Sequence, residues 1–385
     1  MKEERVQVRP KEMTGEERVM MALNFQEPDR VPRYESFWEE FTEAWREKKG
    51  LGPEADPMEY YESDVVIAAA DETAWPTRAG VLERRGREYV ERTGWGSVWR
   101  RVEGAKFYQE MELAVPERID PDTLAFDDPL LDSRYEGAGE RVERYRRRCA
   151  VFAKTGGPYL RASAMRGTMN FLLDIAEDPA WVKAFVERVT NHITQVGVEQ
   201  IRRYRLQSTG IGIFDDIATN RGPIMGVSAY EKLFYPSLKK MVAAYKEAGA
   251  AKVFHHCDGY VEDVLDLWVD AGITAVHPLE SRTGMDPVKI RGKYDGKLAI
   301  MGGLDNAQIL PRGNREEIRR HLLHILQAGR GGGYVLGGHS IAPDVSVETC
   351  DFVHQLWKEY GRYPLSIPHP RDGQELMPGW RDSPR

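Results

Sequence analysis

Ala251-Lys-Val-Phe-His-His-Cys-Asp-Gly259 opens as a short apolar run, closes on glycine, and sets two histidines, a thiol and a carboxylate in four consecutive positions. Read as a strand, its side chains alternate faces, so His255 shares one face with Cys257 and His256 shares the other with Asp258. At a rise of ~3.3 Å per residue, the members of either pair stand about 6.6 Å apart at the backbone. That is near enough for both groups to reach one metal ion.

The same unit, a short apolar or β-branched run ending in polar residues and then an amphipathic stretch, recurs along the chain. Eight such runs are predicted as strands: Val31–Ser36, Asp64–Ala70, Tyr159–Ala164, Gly210–Phe214, Lys252–His256, Ile273–Pro278, Leu298–Gly302 and Tyr334–Gly338. Helical periodicity covers Ala180–Tyr204, Ser228–Ala248, Val261–Ala271, Arg315–Ala328 and Ser346–Tyr360, and Thr14 caps an opening helix that runs to Leu23. Alternating strands and helices imply parallel pairing, and eight repeats predict an α/β fold of the (β/α)8 TIM barrel type. An open doubly wound sheet is the alternative, but no Gly-rich dinucleotide fingerprint follows the first strand.

One barrel domain is expected over 14–366, between a charged tail at 1–13 and a loose, proline-rich end at 367–385. An insertion at about 75–157 interrupts it between the second and third strands. Within that insertion, Val81–Val102 alternates and carries glycine turns, which reads as a β-meander above the barrel rim.

Hydrophobic residues make up 41% of the 385 and charged residues 30%, which describes a globular chain. A net charge of −7 argues against general nucleic-acid or membrane binding. Three cysteines at wide spacing, a charged opening and no apolar run of membrane length predict a cytoplasmic protein.

The residues just beyond the strands of such a barrel share one mouth. Here they are Tyr34 and Glu35, Asp71 and Glu72, Arg166, Asp215 and Asp216, His255 to Asp258, His277 with Glu280, Asp305, and His339. A ring of acids and histidines at one end points to an enzyme. Zinc takes nitrogen, thiolate and carboxylate ligands, so one pair from 255–258 with His339 and Glu280 would suit it, while Asp71, Asp215 or Asp216 orients a ligand or substrate. Phosphate loops, nucleophile elbows and His-Glu-x-x-His motifs are absent.

Several segments resemble the uroporphyrinogen decarboxylase superfamily in the same order. They are Glu27-Pro-Asp-Arg-Val-Pro32, Pro278-Leu-Glu280 with Gly284-Met-Asp286, Gly302-Gly-Leu-Asp305, and Gly338-His-Ser-Ile-Ala-Pro-Asp344. The resemblance runs from about Thr14 to Tyr363 and implies a (β/α)8 barrel. Its decarboxylases need no cofactor and hold a tetrapyrrole with an arginine-rich segment; here Arg33-Tyr-Glu-Ser-Phe-Trp38 stands in that place, although Asp71 and His339 sit where those enzymes have an important aspartate and histidine. Its cobalamin-dependent methyltransferases bind zinc through a His-x-Cys pair after the fifth strand and a late cysteine. Aligned through Gly259, the pair falls on His256 and Asp258, and His339 replaces the late cysteine.

The resemblance therefore implies a zinc site of His256, Asp258 and His339, with Cys257 as the competing ligand; the catalytic candidates are Asp71, which the resemblance also marks, and the strand-end acids Asp215, Asp216 and Glu280. The implied reaction moves a methyl group from a small methylated substrate, such as a methyl ether, to a corrinoid (cobalamin) on a partner protein. A cofactor-free decarboxylase, transfer to a soluble acceptor, and a non-enzymatic corrinoid-binding module are the other readings.

Overall fold

The computed structural model describes residues 13–105 and 107–367. Apart from Met13 and Ile367, the expected tails at 1–13 and 367–385 lie outside the described residues.

Seven strands form one curled parallel sheet in chain order: Val65–Ala68, Ala150–Gly156, Gly210–Phe214, Lys252–His256, Ala275–His277, Ala299–Gly303 and Tyr334–Gly337. The fold is α/β and TIM-like. The first expected run is not a regular strand. It lies between the outermost two, where Tyr34 N–H donates to Leu336 O at 2.9 Å, Leu336 N–H to Pro32 O at 2.8 Å and Asp64 N–H to Arg33 O at 2.8 Å. Pro32 has no N–H to continue a ladder, and the pairing consists of isolated bridges.

The sheet sorts its side chains by alternation. Val65, Phe152, Phe254, Ala275, Met301 and Val335 form an inner cluster with Tyr34. Val66, Val151, Ile211, Val253, Val276 and Leu336 pack outward in the cluster shared with the helices. Helix Gly15–Leu23 is started by a reciprocal capping box between Thr14 and Glu17, and it brings Val19 and Leu23 into the inner cluster. Burying each contributes about 1.5–3 kcal/mol. This helix covers the end where the strands begin, since Gly15 N–H donates to Arg148 O and Gly333 N–H to Ala22 O. The opposite end is left to the loops.

The third expected strand is misplaced in the sequence reading. Tyr159–Ala164 lies inside helix Pro158–Arg166, and the strand is Ala150–Gly156. The reason is local: Pro158 takes the first helical position, where its missing N–H costs nothing. Asp215 then accepts the Leu160 and Tyr159 N–H groups at 2.6 and 3.2 Å, fixing the helix start. Between Ala68 and Ala150 the chain forms a four-stranded antiparallel sheet, Gly80–Arg85, Glu88–Arg92, Val98–Val102 and Tyr108–Glu112, and then helix Glu136–Tyr145. Among the described residues, no helix is long and apolar enough to cross a membrane.

Candidate metal centre

Strand Lys252–His256 pairs His255 with Ile213 and His256 with Phe214 on one neighbour, and His256 with His277 on the other. His256 therefore faces inward beside Phe214, whose ring it stacks on at 4.4 Å, and beside His277. His255 faces outward and stacks on Trp268 at 3.9 Å, with both ring nitrogens buried and unpartnered. Burial holds its pKa down to about 3.

Two hydrogen bonds assign the His256 tautomer. His277 Nε2 lies 3.2 Å from Gly338 O, and a carbonyl only accepts, so the proton is on Nε2. Burial pushes His277 down to about 3, so the ring is neutral and its Nδ1 is bare. The 2.7 Å contact between His277 Nδ1 and His256 Nδ1 then takes its proton from His256. Burial also holds His256 well below its ordinary value, so its Nε2 keeps a free lone pair.

That lone pair belongs to a cluster. His256, Asp258 and His339 each offer an atom within 4.8 Å of the other two. His256 Nε2 is 3.9 Å from Asp258 Oδ1, and His339 Nε2 is 3.8 Å from Asp258 Oδ2. These separations are too long for hydrogen bonds. A tetrahedral zinc ion with bonds of ~2.1 Å would set ligands about 3.4 Å apart, so the three donor atoms, which lie within 4.8 Å of one another, would draw together on binding. Asp258 Oδ1 is buried without a hydrogen-bond partner. Burial, with Glu280 and Asp216 adding negative charge, pushes this carboxyl up to about 6 against the pull of His339 and Arg282. Two nitrogens and a carboxylate held short of a cation fit zinc.

Neighbouring acids hold the loop that carries Asp258. Asp216 Oδ1 accepts the Asp258 N–H at 3.2 Å and lies 3.8 Å from His256 Nε2. Glu280 accepts the Gly259 N–H at 2.7 Å and pairs with Arg282 at 3.0 Å. Gly259 has φ +90°, and a Cβ there would fall 2.6 Å from Thr219 O, so only glycine permits this approach.

The remaining expected residues sit elsewhere. Cys257 points away from the cluster into the outer core, its thiol donating to Asp258 O at 3.1 Å and pushed well up by burial. Asp71 engages its own turn, accepting from Thr73 N–H and Oγ1–H at 2.9 and 2.6 Å. Asp215, buried just after strand Gly210–Phe214, accepts the first amides of helix Pro158–Arg166 and is pushed up to about 7 by burial against the two amides that lower it. Asp305 caps its own turn through the amides of Ala307 and Gln308. Arg166 does not follow a strand; it is buried on Asp174 at 2.7 Å.

Sequence reasoning misses one residue and one role. His277 stands in the ring of strand-end groups, but its part as the partner of His256 Nδ1 depends on cross-strand register. Lys154 was hidden because its strand was placed too late; set at Ala150–Gly156, alternation from Phe152 puts it inside.

No curated protein matches this sequence. A solved methyltransferase from Methanosarcina mazei superposes with a TM-score of 0.66 at 15% identity, over 91% of this chain and 99% of its own. At that identity the likeness speaks to the fold. The family model for uroporphyrinogen decarboxylase (URO-D) matches residues 111–360, and that span covers most of the sheet and every member of the histidine–aspartate cluster. Both results agree with the strand order, and the chain belongs to the uroporphyrinogen decarboxylase family.

Proposed function

We propose that this chain is a zinc-dependent methyltransferase that moves a methyl group from a small methylated substrate, such as a methyl ether, to a corrinoid carried on a partner protein. The fold is read as a closed (β/α)8 barrel with 31–36 as its first strand and the antiparallel sheet as an insertion at its rim. One observation carries the reading: His256, Asp258 and His339 each bring a ligand atom within 4.8 Å of the other two, and Asp258 Oδ1 is buried without a hydrogen-bond partner. The solved relative being a methyltransferase agrees with it.

Bound there, zinc would supply Lewis acidity to the heteroatom that carries the methyl group. His277 keeps the His256 proton on Nδ1, so Nε2 remains a ligand. Asp216 and Glu280 hold the amides of Asp258 and Gly259, which fixes the carboxylate's direction. Phe214 and Tyr34 wall the two histidines with rings and keep water from them.

A cofactor-free tetrapyrrole decarboxylase is less well supported. Asp71 is exposed and satisfied by Thr73. Arg33 is buried against Tyr61 O and His354, unavailable to substrate carboxylates. A non-enzymatic corrinoid-binding module would not need a buried, unpartnered carboxylate oxygen gathered with two imidazoles. The test is metal content of the purified protein, together with methyl transfer from a panel of methyl ethers to free reduced cobalamin. About one zinc per chain and donor-dependent methylcobalamin formation are expected. A metal-free protein that decarboxylates a porphyrinogen would overturn the proposal, and transfer to a folate or thiol alone would overturn the acceptor.

A further inference from the structure

Lys154 projects from strand Ala150–Gly156 on the inward face, two residues beyond Phe152. Its Nζ lies 4.1 Å from the centroid of the Phe214 ring, and the same ring stacks on His256 at 4.4 Å. One phenyl ring thus separates a lysine from the metal centre.

That ammonium has three donors, yet among the described residues no hydrogen bond or ion pair is formed by it. The acids near it are engaged elsewhere. Glu72 pairs with Arg161 and accepts the Gly156 N–H at 2.6 Å, and Asp216 accepts the Asp258 N–H at 3.2 Å. Burial depresses the lysine pKa, and the nearest strong charge effect is the positive one of Arg161. Arg161 itself has a buried, unpartnered Nε, and its guanidinium lies over Trp95 at 5.3 Å. Trp95 belongs to the turn between Glu88–Arg92 and Val98–Val102 of the antiparallel sheet. Two cations with one tied carboxylate between them therefore line this wall, whereas Asp216, Asp258 and Glu280 line the wall at the metal centre.

We propose that Lys154, backed by Arg161, is an anion subsite that receives a carboxylate on the methylated substrate. The carboxylate replaces the water that Lys154 loses on burial, and the ring or chain it belongs to passes the edge of Phe214, whose faces are taken by Lys154 and His256. The methyl-bearing end is thereby directed to His256, Asp258 and His339. The direction rests on the methyltransferase reading; the anion binding does not. An anionic phosphate from a carried corrinoid is the other source of the same chemistry.

The test uses full-length protein stripped with chelator, so that no metal captures the carboxylate, and follows ligand binding by calorimetry. The probes are 4-methoxybenzoate, its neutral counterpart 4-methoxybenzyl alcohol, and inorganic phosphate. The subsite predicts that wild type prefers the carboxylate over the alcohol by at least tenfold. Lys154→Met should abolish that preference, Lys154→Arg should restore it to within a few-fold, and both variants should unfold at the wild-type temperature. Equal binding of carboxylate and alcohol, an unchanged preference in Lys154→Met, or phosphate outcompeting the carboxylate each overturns the proposal. Zinc content, measured separately on unstripped protein, keeps the two readings apart. Carboxylate preference without any bound metal would sink the methyltransferase and leave the subsite. Zinc-loaded protein without the preference would do the reverse.

Discussion

Replacing His277 by phenylalanine tests the candidate metal centre without touching a proposed ligand. An aromatic ring, somewhat larger than imidazole, is kept beside Tyr34 at 5.0 Å and Phe254 at 6.5 Å, with a packing cost that the unfolding control reads. Both hydrogen bonds of the relay are lost, the 2.7 Å contact to His256 Nδ1 and the 3.2 Å contact to Gly338 O. His256 then has no partner to hold its proton on Nδ1, and the tautomer with a bare Nε2 is no longer favoured. Loss of such an outer partner typically lowers metal affinity 10–100-fold, or about 1.4–2.7 kcal/mol. Two buried polar groups are also left alone, His256 being 5% exposed, at about 1–3 kcal/mol of folding stability each.

The assay is zinc competition against a chromophoric chelator, alongside thermal unfolding to confirm that the variant is folded. His277→Gln supplies the control, because its amide oxygen can accept from His256 and its NH2 can donate to Gly338 O. The expected order of zinc affinity is wild type, then His277→Gln, then His277→Phe. A folded phenylalanine variant that binds zinc as tightly as wild type would refute the relay. So would a glutamine variant no better than the phenylalanine one.

Three further outcomes follow from the same geometry. His255→Phe and Cys257→Ala should keep full zinc content, and the former should be neutral or stabilising because two unpartnered ring nitrogens are removed; metal loss in either, by elemental analysis, would move the site to the other strand face. Glu35 is pushed up to about 7 by burial, against Arg33 and the Gly338 amide, from about 4.3 in the unfolded chain, so its contribution is fully present below about pH 4.3 and is lost as pH rises through 7. The difference between wild type and Glu35→Gln in chemical unfolding from pH 4 to 8 should therefore change by about 3 kcal/mol, and a constant difference would show that Glu35 is not the linked group. Arg166→Met strands the buried Asp174 carboxylate, which keeps only Arg118, and should cost about 3–5 kcal/mol in the same assay; a loss of activity with no loss of stability would instead make Arg166 a site residue.

The chemistry of the candidate centre was legible wherever it lay within a few residues, and lost wherever it depended on a second strand. Alternation over 255–258 separates His256 with Asp258 from His255 with Cys257, but it does not say which pair faces inward. The inward choice is made by neighbours distant in the chain, since register sets His256 between Phe214 and His277. The third strand is misplaced for a reason part local and part distant. Lys154 breaks the apolar pattern of 150–156, while Tyr159-Leu160 looks apolar enough for a strand, and only Asp215 from the next unit marks Pro158 as a helix start. Asp215 was itself read as a mouth acid because a carboxylate bonded to amides 55 and 56 residues away looks, in sequence, like one open to substrate.

A one-residue slip of strand Lys252–His256 would turn His255 inward and leave His256 on the face of Trp268, and inside the strand it is opposed by the Phe254 ring seated on Gly212. A second lock sits just beyond its end. Gly259 passes so close to Thr219 O that a Cβ would meet it at 2.6 Å, while its N–H is held by Glu280 and the preceding N–H by Asp216. Moving the strand by one would bring Asp258 or Tyr260 to that contact, and neither side chain fits there. The glycine that closes the opening stretch and the two acids of the mouth therefore act on register as well as on the carboxylate. Which histidine can serve as a ligand is decided by the loop after the strand together with the seat of Phe254 on Gly212, and the donor set is a consequence of that anchoring.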